Sequence, residues 1–329
     1  MTRLDIQFSN GSYAVLLEAG RLQHLEQDLP QGKRFVVVTD AHVLPFVTCW
    51  LSSFPIFTIP CGEEGKTFAV LQKLLAFLLA QDMTRDDMLI AFGGGAVCDL
   101  TGFAASVYMR GIQWVSVPTT LLAMVDASIG GKTAINFQHV KNVAGTFWPP
   151  ALVVMDTDLL HSLSPRLLAS GMAEAVKAGM IKDPELFALF ERDDYMEHMH
   201  EIITRALRVK KDIVEQDEKE NGSRRLLNFG HTFGHAYEVL QPRYLHGECV
   251  AMGMMKMVDD PMTKARLQAV LERLHLPLYC QADPEQVAVT IRHDKKARTD
   301  CIDVVRVKRI GMAEIVPWTF QQIRKKAGE

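Results

Sequence analysis

Three histidines stand close together in the later part of the chain. His231 and His235 lie in LLNFGHTFGHAYE (Leu226 to Glu238), and His246 lies in YLHGE. A spacing of four puts the first two imidazoles a helical turn apart on one face. On a helical projection Asn228, His231 and His235 share one sector, while Phe229, Phe233, Ala236 and Leu240 fill another. Gly230 and Gly234 form a third side, where a neighbour can approach closely. Imidazole nitrogen suits a borderline cation such as zinc, whose catalytic sites take three protein ligands and keep one position open. A solvated polar stripe has the same periodicity. His246 and a carboxylate shift the balance toward metal, since SGMAEAVKAGM supplies Glu174, with Lys177 a turn later on a mainly apolar helix. Such a pair either faces something polar inside the protein or forms an i, i+3 ion pair at the surface.

Two glycine motifs offer anion chemistry. In LIAFGGGAVCDLTGFAAS a strand meets Gly93, Gly94 and Gly95 and then a helix. Glycines there let the backbone approach a ligand, and the helix N-terminus presents free N–H groups to phosphate oxygens. The spacing is not G-x-G-x-x-G, and a tight turn without ligand is the competing reading. In VDASIGGKTAIN, Gly130 and Gly131 stand beside Lys132, with Asp126 six residues earlier. P-loop spacing is absent, so the motif implies anion binding by Lys132 or a plain surface turn, and no ATP site. VKKDIVEQDEKENGSRRLLN, which contains Lys210, Glu220 and Arg224, reads on its own as a solvated charge run.

The elements that must position these residues fall into two groups. RFVVVT, PIFTIP, MLIAF, WVSVPTT and ALVVMDT read as short buried strands, and Phe68 to Ala80 as a helix. Their alternation predicts an α/β domain over residues 1–156, with a Rossmann-like parallel sheet and ligands at the strands' carboxyl ends. PRLLASGMAEAVKAGMIKD and MEHMHEIITRALRVKKDIVEQDEKE carry helical periodicity, which predicts a mostly α-helical domain over 157–329. CIDVVRVKRI reads as a short strand near its end. Of 329 residues, 48% are hydrophobic and 23% charged, a normal soluble composition, and a net charge of −3 favours neither nucleic acid nor an anionic membrane. No secretion signal or membrane-length apolar run is visible. Six scattered cysteines without a C-x-x-C pair read as reduced thiols, so the cytoplasm is the expected compartment.

Taken in order, EEGKT, GGGAVCDLTGFAAS, YMRG, VPTTLLAMVDASIGGKTAIN, SGMAEAVKAG, DEKENGSRRLLNFGHTFGHAYE, LHGE and HDKKAR resemble the 3-dehydroquinate synthase family of sugar-phosphate cyclases. The resemblance implies NAD, a divalent metal (zinc or cobalt) and a homodimer. It implies conversion of the sugar acid phosphate 3-deoxy-D-arabino-heptulosonate 7-phosphate into 3-dehydroquinate and phosphate. NAD would oxidise the C5 alcohol, phosphate would leave by β-elimination, the hydride would return, and an aldol closure would follow, with no net redox change.

Carried over by motif, the metal ligands are Glu174, His231 and His246, with His235 a catalytic histidine and Glu220 a proton acceptor. The substrate's carboxylate and phosphate would meet Arg110, Lys132, Asn142, Lys177, Lys210, Arg224 and Asn228, with Lys295 or Lys296 adding a contact. NAD would lie along Asp40, Glu63, Lys66, Gly94, Gly95 and Asp99, then Thr119, Thr120, Asp126 and Lys141, with the turn from Leu159 to Ser162. The chain departs from the family's pattern at Cys98, where a glycine is usual and where cysteine would restrict a positive φ. It also departs at Ala178, where an aromatic is usual, and in a shortened stretch after Val258. The competing readings are a sister cyclase acting on sedoheptulose 7-phosphate, a metal-dependent alcohol dehydrogenase, and a cyclase-derived binding protein without turnover.

Overall fold

The apolar runs of the first half become strands covered on both faces. In the computed structural model, which describes residues 1–138, 140–292 and 301–329, the chain separates into two compact units, Met1–Leu163 and Ser164–Glu329. In the first unit β1 (Thr2–Phe8) and β2 (Gly11–Glu18) form an antiparallel hairpin. Then come β3 (Phe35–Asp40), β4 (Ile56–Ile59), β5 (Met88–Gly93) and β6 (Gln113–Pro118). A second hairpin, β7 (Lys132–Phe137) and β8 (Val140–Phe147), precedes β9 (Leu152–Asp156). The main sheet runs β1-β2-β9-β6-β5-β3-β4, parallel except at the β1/β2 edge. Phe35 and Val37 pack into one apolar cluster and Val36 and Val38 into the opposite one, so every residue of β3 is buried. That two-sided burial is why the strand reads as unbroken RFVVVT, without alternation. The expected helix forms over Phe68–Ala80, capped by Thr67, whose Oγ1 accepts the Val70 N–H at 3.3 Å.

From β3 the chain moves outward to β4, then returns to β5 on the other side of β3. The carboxyl ends of β3 and β5 are therefore a topological switch point, where open α/β sheets bind ligands. Asp40 ends β3, and Gly93 ends β5 before the helix Gly95–Val107.

The second unit is mostly helical. Helices Pro165–Ile181, Met199–Gln216, His231–Leu240, His246–Lys256 and Pro261–Arg273 pack with shorter ones, and β10 (Cys301–Arg309) pairs with β11 (Met312–Thr319). Ser164 accepts the Leu167 N–H, and Pro165 occupies the first helical turn, which fixes where the long helix starts. Every residue from Ser170 to Ile181 is buried, so this helix is central to its unit. Among the described residues no helix is long and apolar enough to cross a membrane.

Candidate active site

The Pro165–Ile181 helix carries Glu174 and Lys177 inward, each only 3% exposed. Burial excludes the surface ion pair that the i, i+3 spacing allowed. His231 opens the helix His231–Leu240 and His246 opens His246–Lys256. The three helices meet because glycines stand at their crossings. A Cβ on Gly247 would lie 1.9 Å from the Ser170 carbonyl oxygen, and one on Gly253 would lie 1.9 Å from that of Gly230. No larger residue fits either contact.

The convergence delivers His246 Nε2 to 3.4 Å and His231 Nε2 to 3.6 Å from Glu174 Oε1. One ligand atom from each of the three lies within 4.8 Å of the others. Lys177 Nζ ion-pairs with Glu174 Oε2. Both Glu174 oxygens are buried, and among the described residues neither completes a hydrogen bond of good geometry. Lys177 answers the charge at Oε2, and Oε1, facing the two Nε2 atoms, is where a further cation would meet the buried carboxylate. Burial alone would raise the Glu174 carboxyl, but Lys177 and His246 outweigh it and hold it at about 2. Burial likewise works against charge on His246, yet Glu174 and Glu238 raise it to about 10. A proton thus sits among these groups, in a place where a metal ion would replace it.

The other ring nitrogens are already committed. His231 Nδ1 donates to the Phe229 carbonyl at 3.1 Å, and His246 Nδ1 donates to Glu238 Oε1. Once the shared proton is displaced, acceptors on both Nδ1 positions leave both Nε2 lone pairs for a ligand. Carboxylate oxygen with two imidazoles is a zinc-type donor set, so the residues present fit a divalent metal. His235 is half-buried, with its ring 5.2 Å from that of His231 and 6.4 Å from that of His246, beside the triad.

In the same unit the supposed charge run proves organised. Lys210 and Arg224 are buried, at 7% and 2% exposure. Asp217 accepts three backbone N–H bonds, from Asn221 at 2.9 Å, Gly222 at 2.7 Å and Arg224 at 3.0 Å. Burial would raise its carboxyl, but these donors outweigh that and lower it. The turn holds Glu220 at φ 61°, where its Oε1 accepts from Asn228 Nδ2 at 2.8 Å. Lys295 and Lys296 lie outside the described residues.

Sequence reasoning did not single out Asp217, Glu238 or Glu248. Glu238 follows His235 by three, which signals a shared face. Glu248 accepts from Arg166 through Nε at 2.6 Å and Nη2 at 2.7 Å, and its Oε2 accepts the Leu245 N–H at 2.8 Å, which ties the start of the His246 helix to the Glu174 helix.

In the first unit, Lys66 is buried and its ammonium donates to Asp99 Oδ2 and to Asn142 Oδ1, each at 2.6 Å. Glu63 Oε2 accepts from Asn136 Nδ2 at 2.6 Å, and Asn136 Oδ1 accepts the Asn142 N–H at 3.0 Å. Burial raises the Asp99 carboxyl despite Lys66. Gly94 precedes an N-terminus with no side-chain cap, and a Cβ on it would come within 3.2 Å of Thr120 Cγ2. Thr119 donates its N–H to the Gly93 carbonyl at 3.0 Å, and Asp126 follows in the next turn. The uncapped helix end beside Asp40 fits a dinucleotide's phosphates and ribose.

Arg110, Lys132 and Lys141 also belong to the first unit. Arg110 sits past the far end of the 13-residue Gly95–Val107 helix, about 20 Å from Gly94 by helical rise. Lys132 begins β7 and Lys141 lies near the start of β8, both exposed. Leu159 is buried in the sheet's apolar cluster, so its turn offers a ligand backbone and Ser162, whose Oγ donates to the Leu159 carbonyl at 2.6 Å. Cys98 lies inside the helix at negative φ, so the feared conflict with positive φ does not arise. Its thiol packs 3.5 Å from Ser116 Oγ, and burial pushes it up to about 12.

Comparison with known proteins agrees with this geometry. The family described as 3-dehydroquinate synthase N-terminal matches residues 56–170, and its C-terminal counterpart matches 171–297. The chain is 38% identical to a 3-dehydroquinate synthase of Enterococcus faecalis, covering 98% of this chain and 97% of that one. It is 37% identical to one of Streptococcus pneumoniae, covering 98% of each. Among solved structures, 2-epi-5-epi-valiolone synthase of Streptomyces hygroscopicus with NAD+ and Zn2+ bound superposes with a TM-score of 0.88 at 28% identity, covering 98% of this chain and 97% of that one. By sequence over nearly its whole length, the chain belongs to the 3-dehydroquinate synthase family.

Proposed function

We infer that this chain catalyses the 3-dehydroquinate synthase reaction, converting 3-deoxy-D-arabino-heptulosonate 7-phosphate into 3-dehydroquinate and phosphate. The observation that carries the reading is the buried Glu174 carboxylate, paired with Lys177 at Oε2 and turned at Oε1 toward two imidazole Nε2 atoms. Glu174, His231 and His246 would hold the divalent metal. Asp40, the Gly94–Gly95 helix end, Asp99, Lys66 and Thr120 would hold NAD. Bound there, the cation supplies polarisation of the C5 oxygen, and NAD supplies a hydride acceptor that returns what it takes.

The chain's own residues do the rest. Lys177, Lys210 and Arg224, with Asn228, hold the substrate's carboxylate and phosphate, and their burial strengthens each charge interaction. His235, next to the metal ligands but not among them, moves the C5 hydroxyl proton. Glu220, fixed by Asn228, accepts a proton. The first unit is thereby the cofactor domain and the second the metal and substrate domain.

The same reading makes the chain a cytoplasmic homodimer. All six cysteines are free, as a reducing compartment leaves them. Exposed Phe68 and Phe137, whose rings pack edge-to-face, with exposed Val140, Val143 and Phe147 on β8, are the apolar side chains offered to a second copy. A sister cyclase is the second reading, favoured by the 28% identity to the valiolone synthase. The test supplies the heptulosonate phosphate, NAD and zinc and measures phosphate and 3-dehydroquinate. Release abolished by a chelator and restored by zinc is expected. Neither product, with sedoheptulose 7-phosphate consumed instead, would assign the sister reaction. NADH accumulating from glycerol would assign a dehydrogenase.

A further inference from the structure

A second group of metal-capable side chains stands in the first unit, whereas the Glu174 triad belongs to the second. Asp40, His42 and Cys61 each bring one ligand atom within 4.8 Å of the others. The parallel pairing of β3 with β4 sets Asp40 opposite Ile59, and Cys61 follows two residues later. Asp40 Oδ1 accepts the N–H groups of His42 at 2.9 Å and Val43 at 3.1 Å, and the Cys61 thiol lies 3.7 Å from the same oxygen. Among the described residues all hydrogen bonds to this carboxylate fall on Oδ1, so Oδ2 is available to a cation while its partner oxygen stays anchored. His42 is exposed, which leaves the group open to an ion from solvent. Thiolate, imidazole and carboxylate together form a zinc-type donor set with room for a water.

We propose that Asp40, His42 and Cys61 form an inhibitory site for a zinc-type cation that excludes NAD from the carboxyl end of β3. The exclusion rests on the reading of Asp40 as a cofactor contact, because Oδ1 is held by two backbone N–H groups and Oδ2 alone is left for either a ribose hydroxyl or a cation. On binding, the Cys61 thiol gives its proton to solvent and ligates as thiolate. Competition raises the apparent NAD dissociation constant about tenfold when free zinc stands about nine times above its own constant.

Cobalt separates the two sites, because only this one offers sulfur. Metal-free full-length protein titrated with Co2+ is expected to develop a sulfur-to-cobalt absorption band in the near ultraviolet. Cys61→Ser should abolish the band, His42→Asn should remove a ligand nitrogen and weaken cobalt binding there, and added NAD should suppress it. Zinc should raise the apparent NAD constant of the unmutated chain but not of Cys61→Ser. No band, or a band that survives in Cys61→Ser, overturns the site. A band that NAD leaves unchanged, in protein that binds NAD by fluorescence titration, overturns the competition. A chain that binds no NAD at all fails the functional reading instead, and the cobalt titration still decides the cation site.

Discussion

Removing the Glu238 carboxylate should weaken metal binding without touching a ligand. Glu238 accepts the Nδ1–H of His246, a contact between side chains 10% and 31% exposed. The bond fixes the His246 ring so that Nε2 faces Glu174 Oε1 at 3.4 Å. Without it the ring must be held by the ion alone, and the imidazole becomes a poorer donor. Partners of this kind typically contribute about 10–100-fold to metal affinity, equivalent to about 1.4–2.7 kcal/mol. Glu238→Gln keeps an acceptor and loses the charge, so about tenfold is expected. Glu238→Ala loses both, so about 100-fold is expected. The assay strips the metal with a chelator, then titrates zinc against a chromophoric competitor, with circular dichroism to verify the fold. If folded Glu238→Ala binds zinc within about twofold of the unmutated chain, the ring is positioned by something else and the reasoning is wrong.

His235→Ala should retain zinc and lose most turnover, whereas His246→Ala should lose zinc. Equal metal content in the two, measured by atomic absorption, would refute the division of roles. Gly247→Ala puts a methyl 1.9 Å from the Ser170 carbonyl. It should destabilise by about 1–3 kcal/mol and also weaken zinc binding, since His246 is the adjacent residue; unchanged thermal unfolding would contradict the contact. Asp217 has a lowered carboxyl in the folded chain, so its stabilisation is complete above the ordinary aspartate value of about 3.9 and is lost as pH falls through the lowered native value. Asp217→Asn should therefore cost about 1–2 kcal/mol at neutral pH and a smaller amount in strong acid, as read by urea unfolding at the two pH values.

Local sequence was enough for the elements whose signals are local. β3, β5, β6 and β9 are legible as β-branched or apolar runs because both faces of the sheet are covered. The helix over Phe68–Ala80 is legible from its periodicity and its Thr67 cap. The hairpins β1/β2 and β7/β8 were not legible. Each contains one strand with few or no buried residues, β1 with a single buried position and β8 with none to give it a pattern. β11 escaped for the same reason, its residues being partly or fully exposed.

At the site, residue types and spacing determined which side chains were chemically capable, and the family resemblance sorted ligand from proton carrier. Spacing alone left both a surface and an interior reading open for Glu174 with Lys177. Only the packing of three helices decided between them, because a charge pair's meaning depends on the dielectric around it. The same holds for Lys210 and Arg224, which are indistinguishable in the sequence from the solvated charges beside them. Glu238 became a partner of His246 only when two helices crossed. Periodicity and caps act over a few residues and can be read along the chain. Convergence of groups 57 and 15 residues apart, Glu174 to His231 to His246, depends on which faces pack together, and only the folded chain sets that.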